Sequence, residues 1–170
     1  MQWNIGKPNT KQIAFFKART RFVAYGGARG GGKSWAVRKK AAGLALSYNG
    51  ISILILRRTF PELRENHILP MMADLMGIAR YRDMDKSFTF PNGSRIVFGY
   101  CDSEADVLQY QGQEYDVIFM DEATQFTEFQ FTTLTACLRG ANDFPKRFYL
   151  TCNPGGVGHT WRSEERRVGK

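Results

Sequence analysis

The sequence predicts an α/β domain with a mostly parallel sheet flanked by helices, and three observations predict it. Nearly continuous apolar runs such as Ile51-Ser-Ile-Leu-Ile-Leu56 alternate with segments of helical period, and strands buried on both faces of a parallel sheet need that unbroken apolar character. A glycine-rich stretch, Gly27 to Ser34, stands between a strand-like and a helix-like segment. The apolar run Val117-Ile-Phe-Met120 ends in two adjacent carboxylates, Asp121 and Glu122, and open parallel sheets bind ligands at the carboxyl ends of their strands.

Each element has a local reason. Pro8 to Lys17 places Ile13, Phe15 and Phe16 after polar Asn9 and Thr10, as a short N-capped helix does. Arg21 to Tyr25 reads as a strand stopped by Gly26-Gly27, and Ser34 to Ser47 carries Ala, Val and Leu at helical spacing. Pro61 suits the first turn of a helix running to about Met76. Asn92-Gly93 between Ser87–Pro91 and Ser94–Gly99 predicts an antiparallel hairpin near residues 87–99. Asp116 to Met120 is a buried strand, Thr127 to Arg139 a helix, and Arg147 to Thr151 a further strand. Alternating strands and helices give the layered α/β arrangement.

Composition narrows the class. At 170 residues, 43% hydrophobic and 24% charged, the chain has the size and make-up of one folded domain rather than a disordered polymer. No apolar run approaches the roughly 18 residues of a membrane span, and Met1 to Lys7 lacks the apolar centre of a secretory signal. Cys101, Cys137 and Cys152 are odd in number and widely spaced, which argues against a disulfide framework or zinc site and points to a reducing cytoplasm. The net charge of +8 favours polyanionic partners, nucleic acid first. The stretch Arg162-Ser-Glu-Glu-Arg-Arg-Val-Gly-Lys170 is polar and aperiodic. It back-translates into what looks like a sequencing adapter. The expectation is a native domain over 1–161, incomplete at its C-terminus, and a non-native tail over 162–170, with a solvated basic tail as the alternative.

Gly27-Ala-Arg-Gly-Gly-Gly-Lys33-Ser34 fits G-x-x-x-x-G-K-[ST] in the required strand-to-helix context. Gly27, Gly30, Gly31 and Gly32 let backbone N–H groups converge on phosphate oxygens, and the helix that follows adds its positive end. Lys33 would bridge the β- and γ-phosphates of ATP and the Ser34 hydroxyl would ligate Mg²⁺. Asp121 would hold Mg²⁺, through water, while Glu122 orients and deprotonates the attacking water. Thr151-Cys-Asn153-Pro154 ends the next strand at the same edge. Asn153 is placed to bond the water or the γ-phosphate, although Asn-Pro is also an ordinary turn signal.

With these residues in view, Gln12, Gly27 to Ser34, Val117 to Glu122 and Thr151 to Pro154 together resemble the ATPase domain of the phage terminase large subunit, from about Gln12 to Trp161. The resemblance implies a P-loop core of the additional-strand, catalytic-glutamate type. It also implies a homo-oligomeric ring on a portal protein, a small terminase subunit as partner, and ATP-driven movement of double-stranded DNA into a capsid in the host cytoplasm. By the same resemblance Gln12 reads adenine, Arg29 faces the γ-phosphate, and Arg139 is an arginine finger reaching a neighbouring subunit. Gln12 is otherwise an exposed polar residue on the first helix, and Arg139 is otherwise explained by a helix dipole. The nuclease domain usual in the family has no counterpart after Trp161, so DNA cleavage is not expected of this chain.

Three readings compete: a packaging motor, another P-loop ATPase of helicase or replication type, and a nucleotide-binding interaction module without turnover. Arg38-Lys39-Lys40, Arg57-Arg58 and Arg80/Arg82 are candidate DNA contacts, but charge clusters are more often solvated faces. His67 and His159 lack metal-ligand partners at suitable spacing. Phe15 and Phe16 read as core.

Overall fold

The computed structural model describes residue 3, residues 5–27 and residues 32–153. The suspected tail over 162–170 and Pro154 therefore lie outside the described residues. The first helix, α1 (Thr10–Lys17), is N-capped as expected, and the cap is a full capping box: Gln12 N–H donates to Asn9 Oδ1 at 2.9 Å and Asn9 N–H donates to Gln12 Oε1 at 2.8 Å. Strand β1 (Phe22–Gly26) leads to α2 (Lys33–Ser47), then β2 (Ser52–Arg57). A helical segment follows as α3 (Phe60–Leu63), a π-turn over Arg64–Ile68, and α4 (Leu69–Asp74). Strands β3 (Arg80–Arg82), β4 (Ser87–Thr89) and β5 (Arg95–Tyr100) come next. After a 3₁₀ segment (Glu104–Tyr110) the chain forms β6 (Val117–Met120), α5 (Glu128–Thr135) and β7 (Arg147–Cys152).

The seven strands form a single sheet in the order β1-β7-β6-β2-β5-β4-β3. β1, β7, β6, β2 and β5 are parallel, and β4 and β3 add on antiparallel. Strand β7 sits between β1, which leads into the glycine loop, and β6, which carries the acids. That is the additional strand the resemblance implied. The pleat sends alternate residues of β2 to opposite faces: Ile53 and Ile55 join one core with Phe15, Val37 and Tyr149, while Leu54 and Leu56 join another with Ile118, Phe131 and Phe148. This two-sided burial is why β2 needed its continuous apolar run.

Three local expectations shift. The helix expected over Thr127–Arg139 ends at Thr135, because Leu138 leaves it to pair in parallel with Tyr115, whose N–H donates to the Cys137 carbonyl at 2.8 Å. A tertiary pairing thus overrides helix propensity. The helix expected from Pro61 to Met76 is interrupted by the π-turn. Pro70 has no N–H to give the carbonyl of Asn66 and its ring crowds that carbonyl; the Leu69 N–H reaches back to Arg64 instead, and the Arg38 guanidinium bonds the Asn66 carbonyl. Arg80 and Arg82, read as a charge cluster, form the exposed edge strand β3, where Arg82 pairs with Asp85 at 3.4 Å.

Lys39 and Lys40 are buried, not solvated. Lys39 pairs with Asp74 at 3.1 Å. The Lys40 ammonium donates to the carbonyls of Phe15, Phe16 and Ala18 at 2.7, 2.9 and 2.9 Å, closing the end of α1 against α2. Three donors matched to three acceptors is the geometry of a lysine used as a helix C-cap. Lys40→Met is expected to destabilise the fold by at least about 2 kcal/mol, since each buried acceptor left unpaired costs about 1–3 kcal/mol. The exposed Lys17→Met should stay within about 0.5 kcal/mol, and urea denaturation of both variants checks the contrast.

Candidate active site

The carboxyl ends of β7, β6 and β2, the start of α2 and the segment from α3 into the π-turn line a cavity of about 520 Å³, with Lys33, Ser34, Arg38, Glu122 and Asn153 among its walls. That volume lies within the roughly 300–1,000 Å³ range of small-molecule sites. Gly32 precedes α2 with φ 74° and ψ 25°, a left-handed conformation that a residue with a Cβ adopts poorly. Its carbonyl accepts from Gln12 Nε2 at 3.1 Å. Gln12 is 7% exposed, so the view of it as a surface residue is corrected: α1 presents it to the glycine loop. Lys33 is buried and its ammonium donates back across the loop to the Gly27 carbonyl at 3.0 Å. Arg29, Gly30 and Gly31 lie outside the described residues.

Asp121 is 1% exposed and almost fully saturated with donors. Its Oδ2 accepts from the Ser34 hydroxyl at 2.7 Å, Arg57 Nη1 at 3.0 Å and His67 Nε2 at 2.7 Å, and its Oδ1 accepts from the Thr151 hydroxyl. Burial alone would raise the Asp121 carboxyl, but the His67 hydrogen bond, the neighbouring positive charge and the Thr151 bond outweigh it and hold the group well below the usual carboxylate range. Burial pushes the His67 imidazole down, and the charges of Arg38 and Arg57 act in the same direction, against the pull of Asp121. An ionised carboxylate only accepts, so Nε2 carries the proton; Nδ1 has no hydrogen-bond partner among the described residues.

Glu122 turns the other way. Its backbone is left-handed, φ 58° and ψ 53°, and its N–H is held by the Thr151 hydroxyl at 3.1 Å. Both carboxylate oxygens accept from Asn153 Nδ2, at 3.0 and 3.1 Å. The unusual backbone swings the second acid into the cavity while the first stays sealed beneath it. Asn153 thus has its partner in the second acid.

Gln12, Gly32, Lys33, Ser34, Asp121, Glu122 and Asn153 converge at this edge, with Gly27 contributing its carbonyl. Arg139 does not join them. It is exposed one residue beyond the Tyr115–Leu138 bridge, at the opposite edge of the sheet, and four residues past the end of α5, outside the reach of that helix dipole. Arg57, offered as a DNA contact, is an internal counter-ion of Asp121 that also pairs with Glu62 at 3.5 Å. Arg58 bonds the carbonyls of Cys101 and Asp102. His67 was set aside on sequence spacing because its partner is a single carboxylate on another strand. Pro70, three residues after it, was the available sign that the helix is distorted there.

Residues 18–164 match the family described as the phage terminase large subunit. No curated protein matches by sequence. Among solved structures, the large terminase of a thermophilic bacteriophage is similar at TM-score 0.71 and 19% identity, covering 93% of this chain and 42% of that one. The same thermophilic-phage protein in complex with ATP-gamma-S is similar at TM-score 0.67 and 18% identity, over 94% of this chain and 43% of that one. The large terminase ATPase domain of Thermus phage P74-26 is similar at TM-score 0.66 and 15% identity, over 92% and 68%. The chain thus spans about two fifths of the length of the thermophilic-phage protein. With the family match running over most of its length, this chain belongs to the phage terminase large subunit family.

Proposed function

We propose that this chain is the ATP-hydrolysing motor domain of a phage terminase, driving double-stranded DNA into a capsid. The observation that carries the reading is the division of labour between adjacent acids: Asp121 is sealed against Ser34, while Glu122 faces the cavity on Asn153. Two carboxylates in such different surroundings serve different roles. The thermophilic-phage relative in complex with ATP-gamma-S supports the choice of nucleotide.

The residues fit Mg²⁺. The Ser34 hydroxyl donates a hydrogen bond to Asp121, which leaves its lone pairs for a cation. No group of three or more His, Cys, Asp or Glu able to hold a metal occurs among the described residues. That suits an ion held by one hydroxyl, waters and substrate phosphates rather than by a protein cage. Bound Mg²⁺ would neutralise charge on the β- and γ-phosphate oxygens. Lys33 and the loop N–H groups grip the phosphates, Asp121 fixes the Ser34 hydroxyl that would hold the metal, and Glu122 takes the proton of the attacking water. Asn153 holds Glu122 in place and links it to β7. Gln12 fixes the loop through Gly32 and reads adenine, and by the family resemblance Arg29 serves to stabilise charge on the γ-phosphate. Arg139, near the amino end of β6, acts at a neighbouring subunit's site in the ring. Portal protein and small subunit are the partners the family brings, and the host cytoplasm is the setting. No helix among the described residues is long and apolar enough to cross a membrane.

Lys33→Ala is expected to abolish nucleotide binding, read by titration of a fluorescent ATP analogue. Glu122→Gln should keep that binding and lose about 10²- to 10⁴-fold in phosphate release. Undiminished hydrolysis by a folded Glu122→Gln chain assigns the base elsewhere. The left-handed backbone at Glu122 gives a second test, since the strain is retained for function. Glu122→Gly should stabilise the fold by about 1 kcal/mol while Glu122→Ala gains nothing comparable, because only glycine relieves the Cβ clash; thermal denaturation of the pair separates them. DNA affinity should fall with salt at a log–log slope of about −0.9 per phosphate contact, and a flat salt response counts against backbone binding.

A further inference from the structure

We propose that His67 is a positioning residue for the cation side of the site, holding Asp121 so that the Ser34 hydroxyl presents its lone pairs to Mg²⁺. This rests on the ATPase reading above and goes beyond it, since neither the loop motif nor the acidic pair contains this histidine.

The geometry is specific. His67 is 0% exposed, and its Nε2 lies 2.7 Å from Asp121 Oδ2, the oxygen that also accepts from the Ser34 hydroxyl. Two other donors share that oxygen's surroundings, and each has a distinct effect. Arg57 brings a full positive charge at 3.0 Å. His67, fully buried, brings a hydrogen bond at 2.7 Å that fixes the carboxylate rotamer. Such outer partners orient metal-binding groups and tune their basicity.

The chain is distorted to achieve this contact. In a regular helix over Phe60–Asp74, each residue advances about 100° around the axis. The π-turn over Arg64–Ile68 breaks that register just where His67 meets Asp121, and such turns are frequent at functional sites. Pro70 makes the turn favourable, and Arg38, itself lining the nucleotide cavity, bonds the carbonyl that Pro70 leaves without a donor. Arg57 adds a third tie through Glu62 at 3.5 Å. The segment is thus fastened to the site at three points, with His67 as the innermost.

The test is nucleotide affinity of the 170-residue chain, measured by fluorescence titration of an ATP analogue once in EDTA and once in Mg²⁺. His67→Leu removes the donor; His67→Gln keeps an amide N–H of similar reach. In His67→Leu the affinity gained from Mg²⁺ should fall by about 10- to 100-fold with the EDTA affinity held within about two-fold, and His67→Gln should recover most of the gain. An unchanged Mg²⁺ gain in His67→Leu, or an equal loss in EDTA and Mg²⁺, overturns the proposal and assigns His67 to packing alone. If His67→Leu does not fold, His67→Asn, whose amide stops short of Asp121, takes its place; failure of both to fold likewise assigns packing. A wild-type chain whose binding gains nothing from Mg²⁺ overturns the ATPase reading along with this one. A wild type that gains and a His67→Leu that gains equally overturn this one alone.

Discussion

An ionised carboxylate buried at the edge of a sheet is tolerable only if its lone pairs are filled and its charge is met. Asp121 satisfies that condition with donors from four separate places: Ser34 at the start of α2, Arg57 at the end of β2, His67 in the π-turn and Thr151 near the end of β7. Each donor fixes the end of its own element relative to β6. The relative placement of the glycine loop, the central strands and the α3–α4 segment therefore depends on a single side chain. Breaking one partner of such a buried arrangement leaves charge or polar groups uncompensated, which costs far more than the pair contributes while intact.

Strand β7 extends this control to the second acid. The Thr151 hydroxyl donates to Asp121 and accepts from the Glu122 N–H, and Asn153, two residues on, holds the Glu122 carboxylate. One strand end therefore touches both carboxylates. Its position between β1 and β6 also gives it a neighbour on the loop side, where Gly26 pairs with Cys152. A displacement of the Thr151–Asn153 segment would move the Glu122 carboxylate and the loop-bearing strand together.

What the sequence made legible was whatever is encoded locally. Apolar strands, the N-cap of α1 and the Asn-Gly hairpin depend on neighbours a few residues away, and all appear in the structure. Asp121 and Glu122 were legible because an acid at the end of a buried strand is conspicuous. The ends of α5 and the course of α3–α4 were not, since Leu138 and His67 answer to partners on other elements. Gln12 was half legible: its cap with Asn9 is local, but its bond to the Gly32 carbonyl spans 20 residues. The partner of Arg57, Asp121, was not legible, because an arginine's counter-ion cannot be read from its own segment.

The basic composition shows the same limit on a larger scale. Arg38, Lys39 and Lys40 are consecutive, and as sequence they look like one cationic patch. On a helix they are about 100° apart, and the structure sends them in three directions: Arg38 to the Asn66 carbonyl, Lys39 to Asp74, and Lys40 to the end of α1. They fasten the helices on either side to α2, the helix that begins at the phosphate loop. Their long stems suit this, burying methylenes while the charged ends reach polar partners. Lys33, Arg57, Arg58 and Lys146 are likewise engaged internally. Much of the positive charge that suggested nucleic acid is therefore structural. The cations left at the surface, among them Lys11, Lys17, Arg19 and Arg21 around α1 and Arg80, Arg82 and Arg95 on the antiparallel strands, are the ones from which any phosphate-backbone contact must be drawn.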